Sequence, residues 1–181
     1  GNGIRCFIEY CYDKKIITKL TNLVLTGSGF VNTVILSTNP FFVKVEMKTD
    51  SKITIKPITI NQNKYIANVI NTGVNHAVII CDDLNKALSD AKDIYECSNF
   101  NKEVNIDFVK ITKDIYLKTY ERGVGFTKAC GTGALATYLV LKENNIIVDN
   151  EINILVDGGI IKAGVDKNGP YIIGPSELIK W

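Results

Sequence analysis

One cysteine stands where its side chain could carry out acid–base or nucleophilic chemistry. Cys130 precedes the turn Gly131-Thr132-Gly133, and an apolar run over 134–141 that predicts a helix follows directly. Backbone amides at a helix start carry partial positive charge and bind anions, and they favour the thiolate of a cysteine placed there. The glycines would let a ligand approach the backbone closely. The alternative is that Cys130 is a buried, unreactive thiol, because free cysteines are often buried.

A second glycine turn opens the chain. Gly1-Asn2-Gly3 leads into a helical pattern whose apolar face is formed by Ile4, Phe7, Ile8 and Cys11. Two such helix starts, facing each other, could hold one carboxylate between two sets of amides. They could also place one acid–base group on each face of an α-carbon, as stereoinversion requires. The alternative is an internal duplication in which both turns only cap helices.

Length, net charge and cysteine content limit the classes of protein to which this chain could belong. A length of 181 residues suits one domain or two small ones, and a net charge of +2 without a basic cluster gives no reason to expect a nucleic-acid partner. The sequence contains no apolar run of membrane-spanning length, so no membrane partner is expected. Five cysteines without a CxxC pair and a single histidine argue against disulfides and zinc, and favour a cytoplasmic protein. We expect no metal and no cofactor.

The segment around Cys130 resembles the signature of a known family. The residues at 121–125 (Glu-Arg-Gly-Val-Gly) and 129–134 (Ala-Cys-Gly-Thr-Gly-Ala) are similar to those of diaminopimelate epimerase, a cofactor-independent enzyme that inverts one α-carbon. The opening Gly-Asn-Gly resembles that family's first active-site turn. The residues at 174–177 (Gly-Pro-Ser-Glu) resemble its closing Gly-Pro-Ala-Glu. The resemblance covers essentially the whole chain.

The resemblance implies an isomerase with two catalytic thiols. The expected reaction converts LL-diaminopimelate to meso-diaminopimelate, in lysine and cell-wall precursor biosynthesis, and Cys130 would be one acid–base group. In the family, the other cysteine immediately precedes Gly-Asn-Gly, a position outside this chain. We therefore expect an N-terminally truncated member that is inactive alone. Cys6 lies inside the first helix and is interpreted as a core cysteine.

Further site residues follow from the same resemblance. His76 and Glu121 would join Cys130 as catalytic residues. The residues that would bind the substrate are Gly1, Asn2, Asn75, Asn105, Glu121, Arg122, Gly131 and Thr132. Asn105 is placed by a strand, 104–109, that resembles the family's Asn-Val-Asn-Phe-Val. Read without the resemblance, these positions could equally be a hydrogen-bonded loop histidine, a strand-end asparagine and a surface ion pair.

Three positions depart from the family pattern. Val74 replaces a substrate-binding Asn, Asn75 replaces a Pro, and Phe126 replaces a Glu. These changes keep two alternatives open. One is a racemase or epimerase of another amino acid that also works without pyridoxal phosphate, and the other is a non-catalytic binding protein of the same fold. The expected partner is a small-molecule amino-acid substrate, diaminopimelate, and a homodimer is left open.

The resemblance implies an α/β (α+β) fold. It would consist of two pseudo-symmetric domains of mixed β-sheet, each wrapped around a central helix that starts near Gly1 or Gly131. Residues 1–48 would be the remainder of one domain, 49–169 the second domain, and 170–181 a terminal strand returning toward the first. From the residues themselves, 53–63 is interpreted as irregular, and Asp83 as the N-cap of a helical segment.

Overall fold

The computed structural model describes residues 1–27 and 29–179. In this part of the chain the helices are α1 (Asn2–Asp13), α2 (Leu84–Ser89), α3 (Ala91–Glu96) and α4 (Gly131–Glu143). The strands are β1 (Thr21–Thr26), β2 (Gly29–Thr38), β3 (Phe41–Glu46), β4 (Asp50–Ile60), β5 (Asn63–Asn71), β6 (Asn75–Ile80), β7 (Asn105–Ile111), β8 (Ile115–Glu121), β9 (Gly125–Phe126), β10 (Glu151–Val156), β11 (Gly159–Asp166) and β12 (Gly169–Pro175).

These strands form one mixed sheet. Their order is β1-β2-β3-β12-β11-β10-β8-β7-β6-β5-β4, and β9 pairs with β8. The pairs β6–β7 and β8–β10 are parallel, and the other neighbours are antiparallel. The last strand, β12, pairs with β3, so the final strand of the chain joins β1–β3 to the rest of the sheet.

The fold repeats one unit of a helix followed by three strands. The unit α1-β1-β2-β3 has the same element order as α4-β10-β11-β12. Both helices also end in the same way, because Lys15 (φ 57°) and Asn145 (φ 56°) adopt the left-handed conformation just after the last turn. This repeat confirms the pseudo-symmetric, mixed-sheet fold expected from the sequence.

The two repeated helices differ in how far the sheet covers them. Most of α4 is buried, and its buried residues are Gly131, Gly133, Ala134, Leu135, Ala136, Thr137, Tyr138, Val140 and Leu141. By contrast, α1 buries only Arg5, Ile8 and Cys11, while Phe7 is 52% exposed. Cys6 is exposed as well. Its interpretation as a core cysteine is therefore wrong, because the helix is packed on one face only.

The stretch interpreted as irregular is a regular strand. Residues 53–60 lie in β4, and Pro57 pairs in register with Ile66 of β5. Proline lacks the backbone N–H of a ladder hydrogen bond, but β4 is an edge strand and needs such bonds on one side only. The interpretation failed because a proline is tolerated at the edge of a sheet, and the sequence alone does not show which strand lies at the edge.

A second core lies where α2 and α3 pack beside β7. It includes Ala87, Ala91, Ile94 and Phe108. The Asp83 carboxylate accepts a hydrogen bond from the Lys86 backbone N–H at 3.1 Å, which confirms the expected N-cap. The expected domain boundary at 48/49 falls in the short connection between β3 and β4, and it stays a prediction. None of the described helices has the length and apolarity needed to cross a membrane.

Gly133 and Gly3 occupy equivalent positions in the two repeats and offer a matched test of packing. A Cβ at Gly133 would lie 2.4 Å from Asp107 Oδ1 and 3.1 Å from Thr119 Oγ1, whereas a Cβ at Gly3 would have nothing within 4 Å. We expect Gly133→Ala to lower the free energy of unfolding by about 1–3 kcal/mol. Gly3→Ala should raise it by about 0.5–1 kcal/mol, because alanine favours the helix. Urea unfolding measures both changes, and equal shifts would contradict the packing.

Candidate active site

The starts of α1 and α4 lie against each other. A Cβ on Gly131 would be 3.3 Å from Gly1 Cα and 2.8 Å from Ile172 Cδ1. The glycines at 131 and 133 therefore make room for other parts of the protein, and close approach of a ligand to this backbone stays a prediction. Neither helix has an acidic residue in its first turn. Their amides form a positive region to which an anion can bind.

The side chain of Asn2 connects the two helix starts. Its Nδ2 donates to the Ala129 carbonyl at 3.1 Å, and its Oδ1 accepts a hydrogen bond from Arg5 Nη2 at 3.0 Å. Arg5 Nε also donates to the Pro175 carbonyl at 3.2 Å. Asn2 thus holds the loop that carries Cys130. Because both polar atoms of its side chain are engaged, the backbone amide of Asn2 is the group that could contact a substrate.

Cys130 is buried at the start of α4. It is the N-cap residue, with 6% of its surface exposed, and its Sγ lies 3.4 Å from Thr132 Oγ1. Burial raises the pKa of the Cys130 thiol to about 12, and the negative charges of Asp107 and Glu121 add to that rise. The hydrogen bond with the Thr132 hydroxyl and the one from the Gly133 N–H oppose the rise in pKa without cancelling it. The expectation that the helix start would favour the thiolate is therefore wrong for this structure, because burial outweighs the amides.

His76 is linked to the Cys130 thiol through the Thr132 hydroxyl, in a largely buried network. Its Nε2 is 3.0 Å from Thr132 Oγ1, and its Nδ1 is 2.6 Å from Asp107 Oδ2. The second carboxylate oxygen of Asp107 accepts a hydrogen bond from Thr119 Oγ1 at 2.7 Å. His76 and Asp107 are both fully buried.

Asp107 is the site residue that sequence reasoning missed. It stands where the family's Asn-Val-Asn-Phe-Val pattern has its second Asn. A signal was available, because residues two apart on a strand point to the same face, so a site that includes Asn105 also includes position 107.

Asn105 joins this network, and Glu121 and Arg122 follow it at the end of β8. His76 and Asn105 are register partners on β6 and β7, and Asn105 Nδ2 lies 3.4 Å from His76 Nε2. Asn105 Oδ1 accepts a hydrogen bond from the Arg122 backbone N–H at 2.8 Å. The Glu121 carboxylate accepts a hydrogen bond from Thr127 Oγ1 at 2.6 Å, and the Arg122 side chain is exposed.

Asn75 lies apart from this network. Its side chain is exposed and accepts a hydrogen bond from Asn71 Nδ2 at 2.8 Å. Of the two apolar departures from the family pattern, Val74 is 37% exposed, and the ring of Phe126 packs edge-on against Tyr120 with centroids 5.1 Å apart. The structure thus brings together Cys130, Thr132, His76 and Asn105, with Asp107 added. Within residues 1–27 and 29–179, no cluster of three His, Cys, Asp or Glu side chains could hold a metal.

Solved structures with this architecture define the class of fold. A probable proline racemase from Agrobacterium radiobacter matches 99% of this chain and 67% of its own, with a TM-score of 0.71 at 14% identity. A hydroxyproline epimerase from Agrobacterium vitis matches 97% of this chain and 64% of its own, with a TM-score of 0.73 at 14% identity. These similarities show the racemase and epimerase type of mixed-sheet fold.

Sequence comparison identifies the family. The family model for diaminopimelate epimerase matches residues 68–179. The diaminopimelate epimerase of Clostridium perfringens is 30% identical over 99% of this chain and 71% of its own length. That of Methanocella arvoryzae is 32% identical over 99% of this chain and 69% of its own. The chain belongs to the diaminopimelate epimerase family and spans about 70% of these relatives' lengths.

The burial of Cys130 predicts slow alkylation. Because burial raises the pKa of Cys130, little of it carries the thiolate at pH 8, and the thiolate is the form that reacts with iodoacetamide. We expect Cys130 to stay unmodified while the exposed Cys6 reacts, and its rate to rise as the pH is raised toward 12. Peptide mass spectrometry measures both rates, and the urea-unfolded protein serves as the control. Modification of Cys130 at pH 8 as fast as that of Cys6 would contradict the effect of burial.

Proposed function

We propose that this protein epimerises LL-diaminopimelate to meso-diaminopimelate without a cofactor. The observation that carries this proposal is the contact between two helix starts, with a buried cysteine at one of them. Family membership supports isomerase chemistry on an amino-acid substrate. The assignment of diaminopimelate as the substrate rests on the relatives' activity and on the family residues retained here.

The α-carboxylate would bind at the positive ends of both helices. Amides near Gly1–Asn2 and Gly131–Thr132 would hold it, because helix N-termini favour anions. An amino-acid α-proton is very weakly acidic, so these preorganised amides would have to stabilise the negative charge that develops in the transition state. Exclusion of water from the buried site strengthens that stabilisation.

The proposed chemistry is a proton transfer at each face of the α-carbon. Cys130 Sγ would remove or return the proton on one face, and His76 would orient the reacting centre. A second thiol, the cysteine that precedes Gly-Asn-Gly in the family pattern, would act on the opposite face. Asn105, Glu121 and Arg122 would bind the distal end of the substrate, with Glu121 also modulating Cys130. Asn75 is the least supported contact, since its side chain bonds to Asn71.

A second candidate keeps the chemistry and changes the substrate. Phe126 packs against Tyr120, and Val74 is partly exposed, where the family pattern has polar residues. These side chains favour a less polar distal group than the second amino-acid centre of diaminopimelate. A non-catalytic binding role is the remaining alternative.

The experiment that tests this function is α-proton exchange in heavy water. We expect the product of the full reading frame to place deuterium at the α-carbon of LL- or meso-diaminopimelate and to invert it, as measured by NMR and chiral chromatography. Cys130→Ala should abolish inversion, because proton transfer on one face is lost. Retained inversion in that variant would rule out the two-thiol mechanism.

Cys81→Ala is the matched control for this variant. Cys81 is another buried thiol, and burial raises its pKa to about 11, but it lies in the second core. It should retain wild-type inversion. A folded protein that exchanges other amino acids but not diaminopimelate would favour the second candidate, and one that exchanges none would favour a binding role.

A further inference from the structure

A continuous line of polar contacts runs from Cys130 to a buried carboxylate. Cys130 Sγ lies 3.4 Å from Thr132 Oγ1, and that hydroxyl lies 3.0 Å from His76 Nε2. On the other side of the ring, His76 Nδ1 lies 2.6 Å from Asp107 Oδ2. Only Cys130, at one end of this line, is an acid–base group of the proposed reaction, so the function of Asp107 at the other end requires its own explanation.

The neighbours of Asp107 determine which nitrogen of His76 carries the proton. An ionised carboxylate has only acceptors, so the 2.6 Å contact requires a proton on Nδ1. Thr119 donates to the other carboxylate oxygen, which leaves Oδ2 for the ring. The neutral imidazole then presents Nε2 as an acceptor.

An independent observation gives the same tautomer. Asn105 Oδ1 accepts the Arg122 backbone N–H, so the Asn105 amide must turn its NH₂ group toward His76 Nε2, which lies 3.4 Å away. Nε2 therefore faces the Asn105 amide donor and the Thr132 hydroxyl. The Asn105 contact is not compatible with a proton on Nε2, because the Asn105 donor would then face another donor, and the Thr132 hydroxyl can take the donor role that this tautomer requires.

We infer that Asp107 is a positioning residue that directs the hydrogen bonds of this network away from Cys130. Asp107 holds the proton on His76 Nδ1, Thr132 donates to Nε2, and the Thr132 oxygen is left to accept the Cys130 thiol proton. The inference about geometry stands on the contacts alone. Its catalytic consequence rests on the proposed function.

The directed network provides a site that accepts the Cys130 proton. The Cys130 S–H bond breaks as that proton passes to Thr132 Oγ1, while the Thr132 hydroxyl proton passes to His76 Nε2. The products are the thiolate, an intact Thr132 hydroxyl and an imidazolium, so charge is conserved. The imidazolium is paired with the Asp107 carboxylate, and the negative charge of Glu121 also faces this site. Burial raises the pKa of Cys130 and so opposes this transfer.

The first test is a measurement on the unmodified protein. His76 is the only histidine in the sequence, so long-range ¹H–¹⁵N NMR reports its tautomer without an assignment problem. We expect the neutral ring to carry its proton on Nδ1. A proton on Nε2 would overturn the inference. This measurement needs no substrate, so it remains decisive even if the proposed epimerase activity is absent.

The second test separates a positioning role from a structural one. Asp107→Asn preserves size but removes the charge that stabilises the imidazolium. We expect kcat for α-proton exchange to fall by about 10²-fold or more while KM changes little. Wild-type kcat in this variant would overturn the catalytic part of the inference.

Two matched sets of variants control this result. Thr119→Val removes the other hydrogen bond of the same carboxylate, and it should lower stability while leaving the His76 tautomer in place. Thr132→Ser keeps the hydroxyl and Thr132→Val removes it, so kcat should be lower in Thr132→Val than in Thr132→Ser. If Thr132→Val kept the kcat of Thr132→Ser, the path through this hydroxyl would be ruled out.

Discussion

The contact between the first residues of α1 and α4 is the constraint on which the site depends. Gly1 and Gly131 approach so closely that no side chain fits at position 131 without displacing Gly1 or Ile172. Two helix N-termini with partial charge of the same sign therefore meet, an arrangement that negative charge between them would stabilise. The carboxylate site that we propose depends on this contact.

A buried carboxylate beneath α4 links stability to chemistry. Asp107 is fully buried, and an unpaired charge there would be strongly destabilising. His76 and Thr119 pair with both of its oxygens, and Gly133 leaves the space that it occupies. The Asp107 carboxylate is therefore held in place by Thr119 and His76, and the same carboxylate orients the imidazole of His76.

Local patterns in the sequence predicted several elements, and the errors have physical causes. Apolar periodicity predicted α1 and α4, and the Asp83 cap marked α2 correctly. The prediction failed for β4, since Pro57 is acceptable only in an edge strand, and for Cys6, since only one face of α1 is packed. Both errors depend on which neighbours surround an element, and spacing along the chain carries no such information.

The sequence by itself determined the repeated helix starts, the cysteine at one of them and the resemblance that family comparison confirmed. These features are local, because glycine turns and apolar periodicity act over a few residues. Only the tertiary structure decided the state of Cys130 and the partners of His76. Burial outweighed the helix amides in setting the pKa of the thiol, and Asp107 reached His76 through the pairing of β6 with β7. Desolvation and cross-strand contacts arise only when distant segments pack together, so they could not be derived from the order of residues.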